Sequence, residues 1–356
     1  MTTRLYFDHA AATPLHPEAR EAMCSALDCW ANPNSPYAEA RNCHRIFEDA
    51  RRTINRELGW AHDLIFTSGA SEAVGLAAKN CLLPRRIHGA TEHDVVPATM
   101  GEASIKLGVD THGHIDMSAL SDALAAGPAL VAIQLVNNET GVIQDADAIR
   151  EVVHAAGSLL LCDAAQAGGK IDLPDADFIA ISAHKLGGPP GIGALLVKDL
   201  TQLRAVGGQE KGYRRGTQNV PAAAGFAAAL EAGRFRKAMT RHEQLREKLE
   251  TAVKDRGGVV IAEGADRIPT IGGIAFPGTS APSLLVQLDL AGVAVSAGSA
   301  CSSGAMKGSR VIGEMGLEPA VRQAFLRVSF GPDTHEGDVD DLLARLDTIL
   351  QRARAA

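Results

Sequence analysis

The chain has 356 residues, of which 46% are hydrophobic and 22% charged, a composition typical of a globular protein rather than a disordered one. Its net charge is −7 with no long basic run, and its longest apolar runs are too short to span a bilayer, so we expect neither a nucleic acid nor a membrane as partner. The six cysteines form no Cys-x-x-Cys pair and the N-terminus lacks the apolar core of a signal peptide, which predicts a cytoplasmic protein with reduced thiols and no zinc site.

Helical and strand patterns alternate over the first half of the chain. Apolar residues recur at helical spacing over 17–30 and 38–58. Short β-rich runs follow, with helical candidates between several of them, at 63–69, 129–138, 158–166, 178–184 and 193–198. Strands that alternate with helices predict an α/β fold, with a mostly parallel sheet that helices cover on both faces.

The pattern changes after Val220. Residues 221–257 predict one long, nearly unbroken helix that changes from alanine-rich to charged midway and leaves one domain to enter another. The runs beyond it favour a smaller α+β domain, which we expect also to include the first residues of the chain. We place the large domain at 15–235 and the small domain at 1–14 and 236–356.

Two apolar runs end at residues that could take part in catalysis. Lys185 follows one run and precedes Gly-Gly-Pro-Pro, and ligands of open α/β sheets bind at such strand ends. A partly desolvated lysine has a lowered pKa and can form a Schiff base with a carbonyl, whereas the alternative is a solvated lysine that opens a loop. Asp163 ends the other run, where it would either cap the next helix or pair with a protonated ring nitrogen such as that of pyridoxal phosphate (PLP).

Further stretches offer ligand contacts, and most have an ordinary structural alternative. Residues 66–73 predict a strand, a small-residue turn and a helix that begins near Ser71, which suits a phosphate but also a simple capped turn. His93 begins a short β-like run, where a structural histidine is the alternative. Asn138 ends the most apolar run, where its amide could orient a ligand. Arg327, inside a β-like run, would bind a substrate carboxylate or form a buried salt bridge.

Together these residues form the set that a PLP enzyme needs, although no single member would predict it. The sequence also resembles a known family, the cysteine desulfurases, in the class-V aminotransferase-like branch of the fold-type-I PLP enzymes. The matching stretches keep the family's order and similar spacing from about residue 5 to residue 340; they are "YFDHAAATPLHPE", "FTSGASEA", "TEHDVV", "VNNETGVIQ", "CDAAQAGGKI", "SAHKLGGPPGIGAL", "GGQEKGYRRGTQNVP", "VSAGSACSSG" and "LRVSFG".

The resemblance implies the PLP-dependent transferase fold of type I, in which the large domain has a seven-stranded sheet. It also implies a role for each site residue. Lys185 would be the Schiff-base lysine, Asp163 would pair with the pyridine nitrogen, and His93 would stack on the ring and help to transfer protons. The other contacts would be Gln166 on the phenolic oxygen, Ala70, Ser71, Ser182 and His184 on the phosphate, Asn138 on the cofactor and the substrate carboxylate, and Arg327 on that same carboxylate.

The resemblance further implies a homodimer, in which Thr217 would reach the phosphate in the neighbouring subunit. Cys301 would take sulfur from L-cysteine, which leaves alanine and an enzyme persulfide for a sulfur-acceptor protein of iron–sulfur cluster assembly or another pathway. A thiol with this task must move, so a loop of small residues suits it better than a packed strand. Cysteine also has a useful thiolate fraction near neutral pH.

The sequence departs from the family pattern near its start. His9, Ala10 and Ala12 stand where Asn, Ser or Thr residues are more common, and Tyr37 stands where a histidine is usual. The rival activities on the same scaffold are a selenocysteine lyase and a class-V aminotransferase, which has no need of a loop thiol. A non-catalytic sulfur carrier or scaffold subunit is disfavoured, because the cofactor residues are present together.

Overall fold

The computed structural model describes residues 4–298 and 308–355. Within these ranges the strands are β1 (Leu5–Tyr6), β2 (Asp63–Thr67), β3 (Arg85–Gly89), β4 (Ile105–Leu107), β5 (Ala129–Gln134), β6 (Leu159–Asp163), β7 (Phe178–Ser182), β8 (Gly193–Val197), β9 (Val259–Val260), β10 (Ile271–Ala275), β11 (Val293–Ala294) and β12 (Phe325–Ser329). The helices are α1 (Pro17–Asp28), α2 (Ala38–Glu57), α3 (Ala70–Asn80), α4 (Val95–Met100), α5 (Met117–Leu124), α6 (Ala146–Ala155), α7 (Val220–Ala232), α8 (Arg234–Asp255), α9 (Ala281–Leu290), α10 (Arg310–Glu314), α11 (Pro319–Gln323) and α12 (Glu336–Ala355). None of the described helices is both long enough and apolar enough to cross a membrane.

A seven-stranded sheet organises the larger part of the fold, in the order β2-β8-β7-β6-β5-β3-β4. The strands from β7 to β4 run parallel to their neighbours, and β8 is antiparallel to both β2 and β7. Parallel strands bury both faces, and alternate residues of this sheet belong to two separate apolar clusters. The prediction of a mostly parallel α/β fold with a seven-stranded sheet is confirmed.

Two small sheets form around the second core. One has the antiparallel order β12-β10-β9, and the other pairs β1 with β11 in parallel. Leu5 and Phe7 belong to the same apolar cluster as Leu249 of α8 and Leu346 of α12. The start of the chain therefore packs with residues from its last third.

The long helix predicted over 221–257 is broken at one residue. Gly233 adopts a left-handed conformation, with φ 57° and ψ 28°, and it separates α7 from α8. Helix α7 is mostly buried, whereas α8 buries one face only. Glycine populates this conformation without strain, so one residue ends the first helix and redirects the chain into the second.

Candidate active site

A cavity of about 500 Å³ opens at the carboxyl ends of β5, β6 and β7. The final residue of each of these strands, respectively Gln134, Asp163 and Ser182, lies in its wall. This is where ligands bind in open α/β sheets. Most of the residues predicted from the sequence line the cavity; they are Ala70, Ser71, His93, Asn138, Asp163, Gln166, Ser182, His184, Lys185 and Arg327.

Two predicted residues are placed differently. Thr217 is exposed to solvent and does not line the cavity. Cys301 lies outside the described residues. The other five cysteines, Cys24, Cys29, Cys43, Cys81 and Cys162, are free thiols.

Lys185 lies in a short 3₁₀ turn (Ala183–Lys185) that directly follows β7. Its Nζ donates hydrogen bonds to the backbone oxygens of Ala10 and Ala11, at 2.7 Å and 2.9 Å. Two carbonyls from the N-terminal segment therefore fix the direction of the amine into the cavity. Neither carbonyl could be found by sequence reasoning, because a backbone acceptor has no residue signature.

Asp163 is the last residue of β6, and it is 9% exposed. Its Oδ1 accepts a hydrogen bond from the Ala165 amide at 2.9 Å. Burial raises the pKa of this carboxyl, while the nearby charges of His93 and Lys185 lower it. A buried carboxylate of this kind is stabilised by a cation, and a protonated ring nitrogen in the cavity would supply one.

Gln166 is buried below the cavity and joins the N-terminal segment to this site. Its Nε2 donates to the Ala10 oxygen at 2.8 Å, so that this one carbonyl accepts from both Gln166 and Lys185. A primary amide has two N–H groups, and the Ala10 oxygen takes one of them. The other is available to a ligand acceptor.

The turn before α3 has the properties of an anion site. Backbone N–H groups in the first turn of a helix have no intrahelical acceptor, and the helix dipole favours negative charge there. Helix α3 begins at Ala70, close to the expected Ser71. Its approach to the sheet depends on Gly193, because a Cβ at that position would lie 2.4 Å from the Ile181 oxygen and 2.6 Å from the Gly69 Cα.

Ser182 and His184 extend the same anion site from the end of β7. The Ser182 Oγ and the His184 Nδ1 are 2.8 Å apart, within hydrogen-bonding distance. Burial lowers the pKa of His184 to about 4, and the charges of Lys185 and Lys170 lower it further. His184 is therefore neutral near pH 7, when it can bind an anion as a hydrogen-bond donor rather than as a cation.

Arg327 has a buried guanidinium at the wall of the cavity, and its side chain is 3% exposed. Its Nη2 pairs with Asp8 Oδ1 at 2.7 Å, and its Nη1 donates to the Asn138 oxygen at 2.9 Å. Its Nε has no hydrogen-bond partner in the part of the chain that the structure describes. The buried salt bridge weighed as an alternative is thus present, and one N–H group of the guanidinium has no acceptor among the described residues.

His93 also lines the cavity, but in a different local structure from the predicted one. The β-like run expected after it is wrong, since helix α4 begins at Val95 and the Val95 amide donates to His93 Nδ1 at 3.3 Å. Pro97 lies in the first turn of α4, where its missing N–H needs no partner. The β-branched pair Val95 and Val96 suggested a strand from the sequence.

The residues of the cavity suit PLP. They provide an amine for its aldehyde, a buried carboxylate for its ring nitrogen, an amide N–H for its phenolic oxygen and a helix N-terminus for its phosphate. The partly unpartnered Arg327 could in addition hold the carboxylate of an amino-acid substrate. Sequence reasoning missed two charged residues next to this set, Asp8 and Lys170, although both lie within the quoted motifs.

Comparison with known proteins gives a consistent result. The family model described as aminotransferase class-V matches residues 5–342. A cysteine desulfurase from Cereibacter sphaeroides is 33% identical across 99% of this chain and 97% of its own length. A cysteine desulfurase from Gluconacetobacter diazotrophicus is 32% identical across 98% of this chain and 94% of its own length. The solved structure of a NifS-like protein from Rickettsia africae superimposes with a TM-score of 0.90, at 29% identity, and covers 98% of this chain and 99% of that one.

Proposed function

This chain belongs to the aminotransferase class-V family and is a PLP-dependent cysteine desulfurase, and we propose that Cys301 is its sulfur-accepting nucleophile. The reaction converts L-cysteine and the Cys301 thiol into L-alanine and a Cys301 persulfide. The observation that carries this proposal is the convergence of Lys185 and Asp163, at adjacent strand ends, on one cavity that Arg327 also lines.

The residues of the cavity would hold the cofactor and the substrate. When bound, PLP serves as the electron sink for charge that develops at the substrate Cα. Asp163 would keep the ring nitrogen protonated, and Lys185 would hold the cofactor and move the Cα proton. Arg327 and Asn138 would orient the substrate carboxylate, and the Asp8 ion pair keeps the guanidinium in one orientation.

In the sulfur step, the Cys301 thiolate attacks the sulfur of the bound cysteine. The new S–S bond forms as the Cβ–S bond of the substrate breaks, and the electron pair of that bond stays on the carbon side. A proton then completes the methyl group of alanine, so atoms and charge balance. His93 lies at the cavity wall, where it can shuttle protons during these steps.

We also propose that the enzyme is a homodimer. The exposed Thr217 lies beside Gln218, whose side chain hydrogen-bonds Asn34 at 2.9 Å. The segment around Asn34 carries large exposed apolar side chains, with Trp30 at 48% and Tyr37 at 50% exposure. A second copy that covers these rings would bring its own phosphate site within reach of Thr217.

The remaining features are proposed from the family. Residues 15–235 would form the cofactor domain, and 1–14 with 236–356 the small domain; the shared core of Leu5 and Phe7 with Leu249 supports the assignment of the N-terminus. A cytoplasmic location would keep the Cys301 thiol reduced. The persulfide would pass to an acceptor protein, of iron–sulfur cluster assembly or of another sulfur pathway.

The proposal is tested by incubating the purified holoenzyme with L-cysteine. We expect equimolar alanine and sulfur transfer, with a mass increase of one sulfur atom on the peptide that contains Cys301. Cys301→Ser should abolish both products and retain the bound-cofactor absorbance, whereas Lys185→Ala should abolish that absorbance. Full alanine production by Cys301→Ser would show that Cys301 is not the nucleophile.

A further inference from the structure

Lys170 is a buried cation that the reaction described above does not use. It follows β6, four residues after Gln166, and it is 3% exposed. Its Nζ donates to Gln166 Oε1 at 3.5 Å, and it lies 4.7 Å from the centre of the Phe235 ring. It forms no ion pair with any residue that the structure describes, although a buried lysine is normally paired.

Lys170 and the Ala10 oxygen hold the Gln166 amide in one orientation from opposite ends. The Ala10 carbonyl oxygen can only accept, so the amide nitrogen of Gln166 must face it, and the amide oxygen then faces the Lys170 amine, which can donate. The Gln166 nitrogen therefore faces the Ala10 oxygen at 2.8 Å and the cavity. With this orientation reversed, Gln166 would present an acceptor to the phenolic oxygen of PLP, which is also an acceptor.

We propose that Lys170 is a positioning residue of the cofactor site, which holds the Gln166 amide with its nitrogen toward the cofactor. The inference rests on the proposed PLP function but not on the role of Cys301. Lys170 acts through Gln166 and through its charge, without contact with the substrate.

The charges around Lys170 support this role. Burial lowers the pKa of Lys170 to about 7, and the positive charges of Lys185 and Arg327 contribute. Repulsion between two cations is mutual, so Lys170 also disfavours a charge on Lys185. Among the residues that the structure describes, His9, His184 and His242 face Lys170, and His184 and Asp163 face Lys185; of these groups only Asp163 can carry a negative charge, while Asp8 is paired with Arg327.

The test is a pH titration of the absorption spectrum of the bound cofactor in Lys170→Met. Without Lys170 the Gln166 amide should donate less well to the phenolic oxygen of PLP, and a nearby positive charge is also lost. Both changes make the Lys185 nitrogen easier to protonate, so the midpoint should move to higher pH by about one unit, a roughly tenfold change in proton affinity. PLP should also dissociate more readily, since the Gln166 amide loses one of the two contacts that orient it. Lys170→Arg, which keeps the charge, should retain a midpoint closer to that of the parent enzyme.

A matched control is Lys237→Met, which makes the same change at an exposed position on α8 and should leave the midpoint unchanged. Lys170→Gln provides a second neutral variant, should Lys170→Met fold poorly. An unchanged midpoint in the neutral variants overturns the proposal. Because the titration does not involve Cys301, a persulfide found on another cysteine would overturn the proposed nucleophile and leave this result intact.

Discussion

His9 shows how burial sets the charge of single residues around the active site. Burial lowers the pKa of His9 to about 3, and the nearby Lys170, His242 and His16 add to the effect. Its Nδ1 is buried and has no hydrogen-bond partner among the described residues. His9 is therefore a neutral imidazole in the folded protein near pH 7.

His9→Asn should make the protein less sensitive to acid. The pKa of His9 is lower in the folded state than in the unfolded state, so the unfolded chain binds the proton first as the pH falls. The free energy of unfolding therefore decreases below about pH 6.5, and at pH 5 this one group accounts for up to about 2 kcal/mol. Urea unfolding at pH 7.5 and pH 5 measures the difference between the two proteins.

The matched control for this experiment is His44→Asn, at an exposed position on α2. It should lose as much stability on acidification as the parent protein does. The partly buried His184 and the buried His242 are present in all three proteins, so their contributions cancel in the comparison. Equal acid sensitivity of His9→Asn and the parent would contradict a neutral, buried His9.

Gly233 shows how one residue decides the course of two helices. The sequence around it predicts a single helix, because one glycine among good helix formers weakens a helix by only about 1 kcal/mol. In the structure this glycine is left-handed and joins a buried helix to an amphipathic one. The change from alanine-rich to charged residues marked the correct place, but the backbone angle of a glycine cannot be read from the residue types around it.

Gly233→Ala should destabilise the protein by about 1 kcal/mol, since an alanine has to adopt the left-handed conformation. No atom lies closer than 3.9 Å to the added methyl group, so the loss is conformational and not steric. The measurement is the denaturant concentration at the midpoint of unfolding, compared while the dependence of the unfolding free energy on denaturant concentration stays the same. A gain in stability would mean that the two helices can merge into one.

The control for this experiment is a glycine at which the same substitution should increase the stability of the protein. Gly75 lies inside α3 without a positive φ, and a Cβ there would meet only Thr99 Cγ2, at an ordinary 3.7 Å. Gly75→Ala should therefore stabilise the protein by about 0.5–1 kcal/mol. Both variants replace glycine by alanine, so only the local backbone conformation distinguishes them.

At the scale of the whole molecule, site residues at the end of a single strand can be predicted from the sequence. Contacts between segments that are far apart in the chain cannot. Asp163 and Lys185 were found because strand ends can be recognised from apolar runs, and parallel strands bring those ends together. The contact between Lys185 and the Ala10 oxygen joins residues 175 positions apart and involves a backbone atom, so no local pattern reveals it. Lys170 was missed because burial of a lysine cannot be read from its neighbours in sequence.

The proposed dimer gives a further prediction at this scale. The mass in solution, measured by light scattering, should be twice the 37.2 kDa of one chain. Trp30→Lys places a charge among the exposed apolar side chains beside the Thr217 segment, and it should weaken both dimerisation and cofactor retention. Leu290→Lys, at an 83% exposed position on α9, should affect neither. A monomeric parent protein with full activity would contradict the shared site.

The ion pair between Asp8 and Arg327 also has a consequence for biosynthesis. These residues are 319 positions apart, so Asp8 leaves the ribosome long before its partner has been translated. At typical elongation rates the interval is roughly 15 to 60 seconds. The wall of the cavity that Arg327 and Ala10 complete cannot exist during this time, and we expect the nascent chain to capture its cofactor only after translation of β12.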